Sequence, residues 1–169
     1  MINTDGNPTF LNSFLDYTAT ILNKSPNTIK EYNYDLATFL KYIKLHFRLT
    51  NENDFSKIII KDMDINTIKR ITLDDIHSFI SYLATELRSK PATRARKVSS
   101  IRVFFKYLSA KAKLIEINPA QNLETPKLDK RMPKYLTLDD SKKLLNAAGN
   151  EDNRNNVRDY YAKWKGWLV

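Results

Sequence analysis

The stretch "SPNTIKEYNYDLATFLKYI" stands at residues 25–43, and "KPATRARKVSSIRVFFKYL" stands at residues 90–108. Laid over each other, they agree at Pro26 and Pro91, Thr28 and Thr93, Phe39 and Phe104, Lys41 and Lys106, and Tyr42 and Tyr107. Leu36 also faces Ile101, and Ile43 faces Leu108. Each stretch has a proline at its start, where a helix has no use for the missing N–H. Apolar residues then recur at helical spacing. A chain that writes one amphipathic helix twice must bury two such faces, which constrains the fold to a helical bundle. Similarity of this size also arises from shared periodicity alone, so the repeat by itself leaves its purpose open.

The rest of the chain reads the same way. Thr9 to Asn23 fits a first helix, with Phe10, Phe14, Tyr17 and Ile21 as its apolar stripe. Ser25 is a good N-cap for a second helix running to about Leu45, buried through Ile29, Tyr32, Leu36, Phe39, Leu40 and Ile43. Residues 48–71 read as a surface elaboration without a site of its own. Within it, Ile58–Ile60 could form a short extended piece packed on the bundle, and Asp64 caps a short helix over Ile65–Arg70. Thr72 and Asp75 have capping-box spacing ahead of "LDDIHSFISYLAT", whose buried face is Ile76, Phe79, Ile80 and Leu83. In the second copy of the repeat, Val98, Ile101, Phe104, Phe105 and Leu108 share one stripe. Arg96, Ser99, Ser100, Arg102, Val103 and Lys106 fall on the flanks and opposite side. Arg94 and Lys97 lie nearer the stripe, in the first turns, where a side chain can project past a core. After "INPAQNLETPK", the prolines and cations of 124–136 read as an extended basic linker, and Thr137 caps a short helix over "LDDSKKLLNAA". The domain reading is a helical domain over 1–123, the linker over 124–136, and a further piece over 137–169.

Charge singles out the second copy. Between Leu87 and Ile115 stand Arg88, Lys90, Arg94, Arg96, Lys97, Arg102, Lys106, Lys111 and Lys113, with no acid among them. The whole chain carries 28 basic and 19 acidic residues, a net +9, so everything outside this window balances. Focused positive charge points to a polyanionic partner; a solvated basic helix face is the other reading of charge alone. Absence of cysteine excludes disulfides and thiolate metal sites, and two histidines make a poor metal centre. No cofactor is expected. The first residues lack a basic, then apolar, leader, and no apolar run approaches a membrane span, so the chain reads as soluble and cytoplasmic. A helix fits the major groove of duplex DNA, and its N-terminus favours phosphate. Thr28 and Thr93 would sit in the first turns. Lys30, Arg94, Arg96, Lys97 and Arg102 would meet phosphates, with Arg96 or Arg102 also able to read guanine. A protein-interaction module binding an acidic partner is the alternative.

The segments "SPNTIKEYNYDLATFLKYI", "ITLDDIHSFISYLAT", "KPATRARKVSSIRVFFKYL", "INPAQNLETPK" and "RMPKYLTLDDSKKLL", in this order, resemble the N-terminal core-binding domain of tyrosine recombinases, the phage-integrase and Xer class. The resemblance covers roughly residues 8 to 148. It implies an all-α, SAM-like bundle of four to five helices. That bundle would grip one half-site of double-stranded DNA in the major groove with helices 26–44 and 91–109. It would also meet other recombinase protomers on the DNA, and no membrane. The site residues it suggests are Thr28, Lys30, Tyr34, Thr93, Arg94, Arg96, Lys97, Ser99, Ser100, Arg102, Lys106, Lys130 and Arg131. One departure is Lys90, where relatives often have serine: lysine cannot accept from helix N–H groups, so a cap is lost. The family's catalytic tyrosine, arginines, lysine and histidine belong to a following domain. Here "VRDYYA" stands at 157–162, but no G-L-R segment follows it and H-x-x-R occurs nowhere. The chain as given is therefore expected to be non-catalytic, with Tyr160 and Tyr161 as surface or packing aromatics.

Overall fold

A computed structural model of the chain describes residues 5–52, 54–126 and 137–149. Six helices follow in order: α1 (Thr9–Thr20), α2 (Pro26–His46), α3 (Ile65–Lys69), α4 (Leu73–Thr85), α5 (Pro91–Ala110) and α6 (Leu138–Gly149). The first five belong to one compact unit and α6 to another. In α6 the Asp140 N–H donates to Thr137 Oγ1 at 3.1 Å, the cap its sequence predicts.

Local chemistry places the helix starts. Ser25 Oγ accepts the Thr28 N–H at the head of α2. Asp64 does the same for Thr67 at α3, and Thr72 with Asp75 forms a full reciprocal capping box at α4. Lys90, as expected, provides no side-chain cap for α5.

The stops follow one pattern. At the end of α1 the Tyr17 carbonyl accepts from Ile21 and Leu22, and the Lys24 N–H donates to the Thr18 carbonyl. Tyr82 and Leu83 serve α4 in the same way, and Tyr107 and Leu108 serve α5. The residue inside each loop is left-handed: Asn23, Arg88 and Lys113, with φ of 47°, 45° and 52°. Arg48 does the same after α2, with φ of 54°.

These positions expose the scope of the repeat. Asn23 and Arg88 are separated by the same 65 residues as Asp35 and Ser100. Arg48 and Lys113 share that spacing. So the repeat is not one helix but a hairpin with its stop, its turn and its exit: α1–α2 corresponds to α4–α5. α2 and α5 pack on each other, and each of α1 and α4 packs on both.

Ring contacts obey the same correspondence. Phe14 meets Phe104 edge-on at 5.4 Å, and its counterpart pair, Phe79 and Phe39, meets at 5.2 Å. Tyr17 and Tyr107 lie 4.9 Å apart at 37°, while Tyr82 and Tyr42 lie 5.0 Å apart at 39°. The two hairpins are therefore related by an approximate twofold axis through the α2–α5 contact. Leu36, Phe39, Leu40, Ile43, Val98, Ile101, Phe104, Phe105 and Leu108 fill the centre with no exposure.

Three expectations need correction. Ile21 is 68% exposed, because α1 ends at Thr20; Leu11 and Leu15 complete the buried face instead. Residues 48–71 are not a surface elaboration: Ile58, Ile60, Met63, Ile68 and Ile71 are buried, and four of these join the core cluster. Ile58–Ile60 forms no strand, although Ile59 does point outward between two buried neighbours. Polar bonds hold this segment to α2. Lys41 Nζ donates to the Phe55 and Ser56 carbonyls at 3.2 and 2.7 Å. Lys44 Nζ, nearly buried, donates to the Ile59 carbonyl at 2.9 Å and pairs with Asp62 at 2.7 Å.

Candidate nucleic-acid interface

α2 and α5 meet near their N-terminal halves, and charge binds them there. Asp35 is fully buried. Its carboxylate accepts from Arg96 Nη1 at 2.9 Å, Lys97 Nζ at 2.9 Å and Ser100 Oγ at 2.8 Å. Arg96 also pairs with Glu31, one turn earlier on α2. A buried carboxylate needs this saturation, since each unmet lone pair costs heavily away from water. Lys97 is held inside by the same logic. Burial pushes its ammonium below the ordinary lysine range, and the Asp35 bond and charge pull the other way. Its Nζ lies 4.7 Å from the centre of the Tyr34 ring, a cation–π contact that adds to the anchoring.

The residues expected to bind DNA divide accordingly. Lys97 does not project past the core and Ser100 does not lie on an exposed flank; both are buried against Asp35. Arg96 is committed to Glu31 and Asp35. The helical period does place Lys97 near the apolar stripe, and a buried acid across the contact explains why it turns inward. Thr28 joins the Ser25 cap, with the two hydroxyls 2.9 Å apart. Arg94 is half-buried and donates to the Ser89 carbonyl. Thr93 is half-buried, Lys30 is exposed, and Tyr34 is 63% exposed. Ser99, Arg102 and Lys106 are exposed on one flank of α5. Lys130 and Arg131 lie outside the described residues.

That flank forms one side of an open groove of about 800 Å³. The chain leaving α5 forms the other side, through Glu116, Asn118 and Gln121. Ile115, Ala120 and Leu123 are buried and hold this return segment against the bundle. Arg102 Nη1 donates to Thr125 Oγ1 at 3.3 Å. Among the described residues no group of acids and histidines could hold a metal ion, and no helix is long and apolar enough to cross a membrane.

Sequence reasoning missed Asp35 and Glu31. Their signal was present: they are the only acids in α2, four residues apart and so on one side of it. They face Arg96 and Ser100, their own counterparts in the repeat.

Against this geometry, a family described as "Phage integrase, N-terminal SAM-like domain" matches residues 10–112. The chain belongs to the phage-integrase N-terminal SAM-like domain family. The match spans both hairpins of the repeat and the segment between them. Among curated relatives of this SAM-like chain, the tyrosine recombinase XerC of Caldanaerobacter subterraneus subsp. tengcongensis is 45% identical over 141 residues. The tyrosine recombinase XerD of Listeria monocytogenes is 34% identical over 138 residues. The alignments cover 83% and 82% of this chain but 40% of each relative. The chain thus spans about two fifths of the length of those recombinases. A crystal structure of XerA recombinase aligns over 84% of this chain and 41% of its own, at 26% identity and a TM-score of 0.46.

Proposed function

We propose that this SAM-like domain is the DNA-binding module of a site-specific tyrosine recombinase and serves DNA recombination by holding one half-site of duplex. The N-terminal halves of α2 and α5 approach the major groove, which is wide enough for a helix. One observation carries the reading: Asp35 fixes the α2–α5 crossing, while Lys30, Arg102 and Lys106 remain exposed around it. A crossing built for packing alone has no need of cations on its outer side, yet of the five cations on α5 both Arg102 and Lys106 are exposed with no acidic partner among the described residues. The domain reading follows: 1–123 binds, 124–136 links, and 137–169 begins the next domain, where the family's cleavage chemistry would reside. None of the residues this reading uses does chemistry on DNA. Membership of the family and similarity to two Xer recombinases support it.

The test is a salt titration of binding to a mixed-sequence duplex of about three turns, with an acidic protein as control ligand. Affinity for duplex should fall steeply with salt, by about 0.9 in log K per log salt for each phosphate met. Lys30→Glu and Ser99→Glu should each weaken binding. A flat salt dependence, or tighter binding to the acidic protein than to duplex, would refute the reading and favour a protein partner.

A further inference from the structure

We propose that the groove along α5 is the seat of the sugar–phosphate backbone of one DNA strand, and that its counterpart along α2 is closed to DNA. The proposal rests on the DNA-binding reading and deepens it, since it says which half of a nearly symmetric domain makes the backbone contact.

The argument starts from the repeat. Under the 65-residue correspondence, Lys106 is the counterpart of Lys41, and past the exits the comparable turns start at Asp54 and Asn118, each of which accepts from the N–H two residues on. On α2, Lys41 is bonded to the Phe55 and Ser56 carbonyls. The Phe55 ring lies 5.9 Å from Lys41 Nζ and 6.1 Å from the Tyr82 ring. Lys44, one turn on, is tied to Ile59 and Asp62. That face has its cations spent and its space filled by an aromatic ring.

On α5 the same scaffold is left open. No aromatic ring among the described residues lines it, and Lys106, Ala120 and Gln121 line the groove together. Lys106 is exposed and has no ion pair among the described residues. Arg102 lies one turn before it, and Ser99 three residues earlier. Across the groove stand the amides of Asn118 and Gln121. Two cations with hydroxyl and amide side chains lining one open channel fit a chain of phosphodiesters. The one carboxylate there, Glu116, is exposed and opposes an anion, so it sets a limit on affinity.

The experiment uses the full chain and the same duplex titrated across salt. Arg102→Ala with Lys106→Ala should lower the magnitude of the salt slope by about 1.8, two phosphate contacts. Lys41→Ala should leave the slope unchanged, and Glu116→Gln should tighten binding. Circular dichroism melts confirm that each variant is folded. If the parent chain binds with a steep slope and the Arg102–Lys106 variant keeps that slope, the groove assignment fails and the DNA reading stands. An equal loss of slope in Lys41→Ala would also overturn it. If the parent chain binds duplex without salt dependence, both readings fall. Capture of a polyglutamate peptide in preference to duplex, lost in the Arg102–Lys106 variant, would give the groove to a protein partner.

Discussion

Asp35 and Ser100 hold the same position in the two copies of the repeat, and their side chains meet at 2.8 Å. The same is true of Glu31 and Arg96, which form an ion pair one turn away. Equivalent residues touch only where an axis relating the copies passes between them. The axis therefore runs through a buried polar cluster, and the two copies have diverged there into partners: acid on α2, donors on α5.

Removing the acid should be costly. Asp35→Ala leaves Lys97 buried without its anion, and breaking such a pair destabilises by about 3–5 kcal/mol. Urea unfolding should show that loss. Asp35→Leu combined with Lys97→Met replaces the pair by apolar groups of similar bulk. It should recover most of the stability, because it also removes the cost of burying two charges.

The ring contacts make a symmetric prediction. Phe14 and Phe79 are both fully buried and occupy equivalent places against Phe104 and Phe39. Phe14→Ala and Phe79→Ala should each cost about 3–5 kcal/mol. Near-equal midpoint shifts in urea are expected; a shift for one alone would show that the axis does not extend to the energetics.

Acid should loosen the outer ties before it reaches the core. The bond from Lys44 holds the Asp62 carboxyl below the ordinary carboxylate range, against some desolvation. At Asp75 burial works against the charge, but bonds from the Thr72 N–H and hydroxyl and from His46 outweigh it, and the carboxyl is again held low. A carboxylate held low in the folded chain contributes stability that is fully present above its unfolded pKa, about 3.9, and is lost as pH falls through the folded value. The melting temperature should therefore drop below about pH 4. Asp62→Asn and Asp75→Asn should each be less stable at neutral pH and show a shallower drop.

The left-handed stops predict gains. A residue with a side chain pays about 1–2 kcal/mol in this conformation, and glycine does not. Arg88, exposed with φ of 45°, also places a cation near the C-terminus of α4, which returns part of that cost. Arg88→Gly should raise stability by about 0.5–1 kcal/mol. A loss would show that the charge outweighs the strain.

Much of this fold could be read in the residues, because its helix starts are written locally. Ser25, Asp64 and the Thr72–Asp75 box each satisfy a nearby N–H, so three or four residues carry the information. The stripe on α5 was legible for the same reason. The stops were less so, since none of the four left-handed positions is glycine, the residue that usually marks one. What escaped was the chemistry between distant segments. Nothing near Lys97 says that it turns inward; the cause is Asp35 on another helix. The packing of Ile58–Ile60 was legible in the isoleucine run, but nothing local says that Met63, Ile68 and Ile71 join the core as well; Lys41 and Lys44 hold the segment by its carbonyls. Of the proposed site, the exposed flank of α5 was visible as charge, and the groove beside it was not, because its far wall comes from the returning chain.

The paired rings carry one more consequence. Phe14 rests on Phe104 and Phe39 on Phe79, so each hairpin needs rings of the other to complete its aromatic cluster. A fragment ending before α4 would contain one full copy of the repeat and still leave Phe14 and Phe39 without the rings of the other copy that cover them. Duplicated architecture here gives no independent halves: the two copies must melt as one cooperative unit.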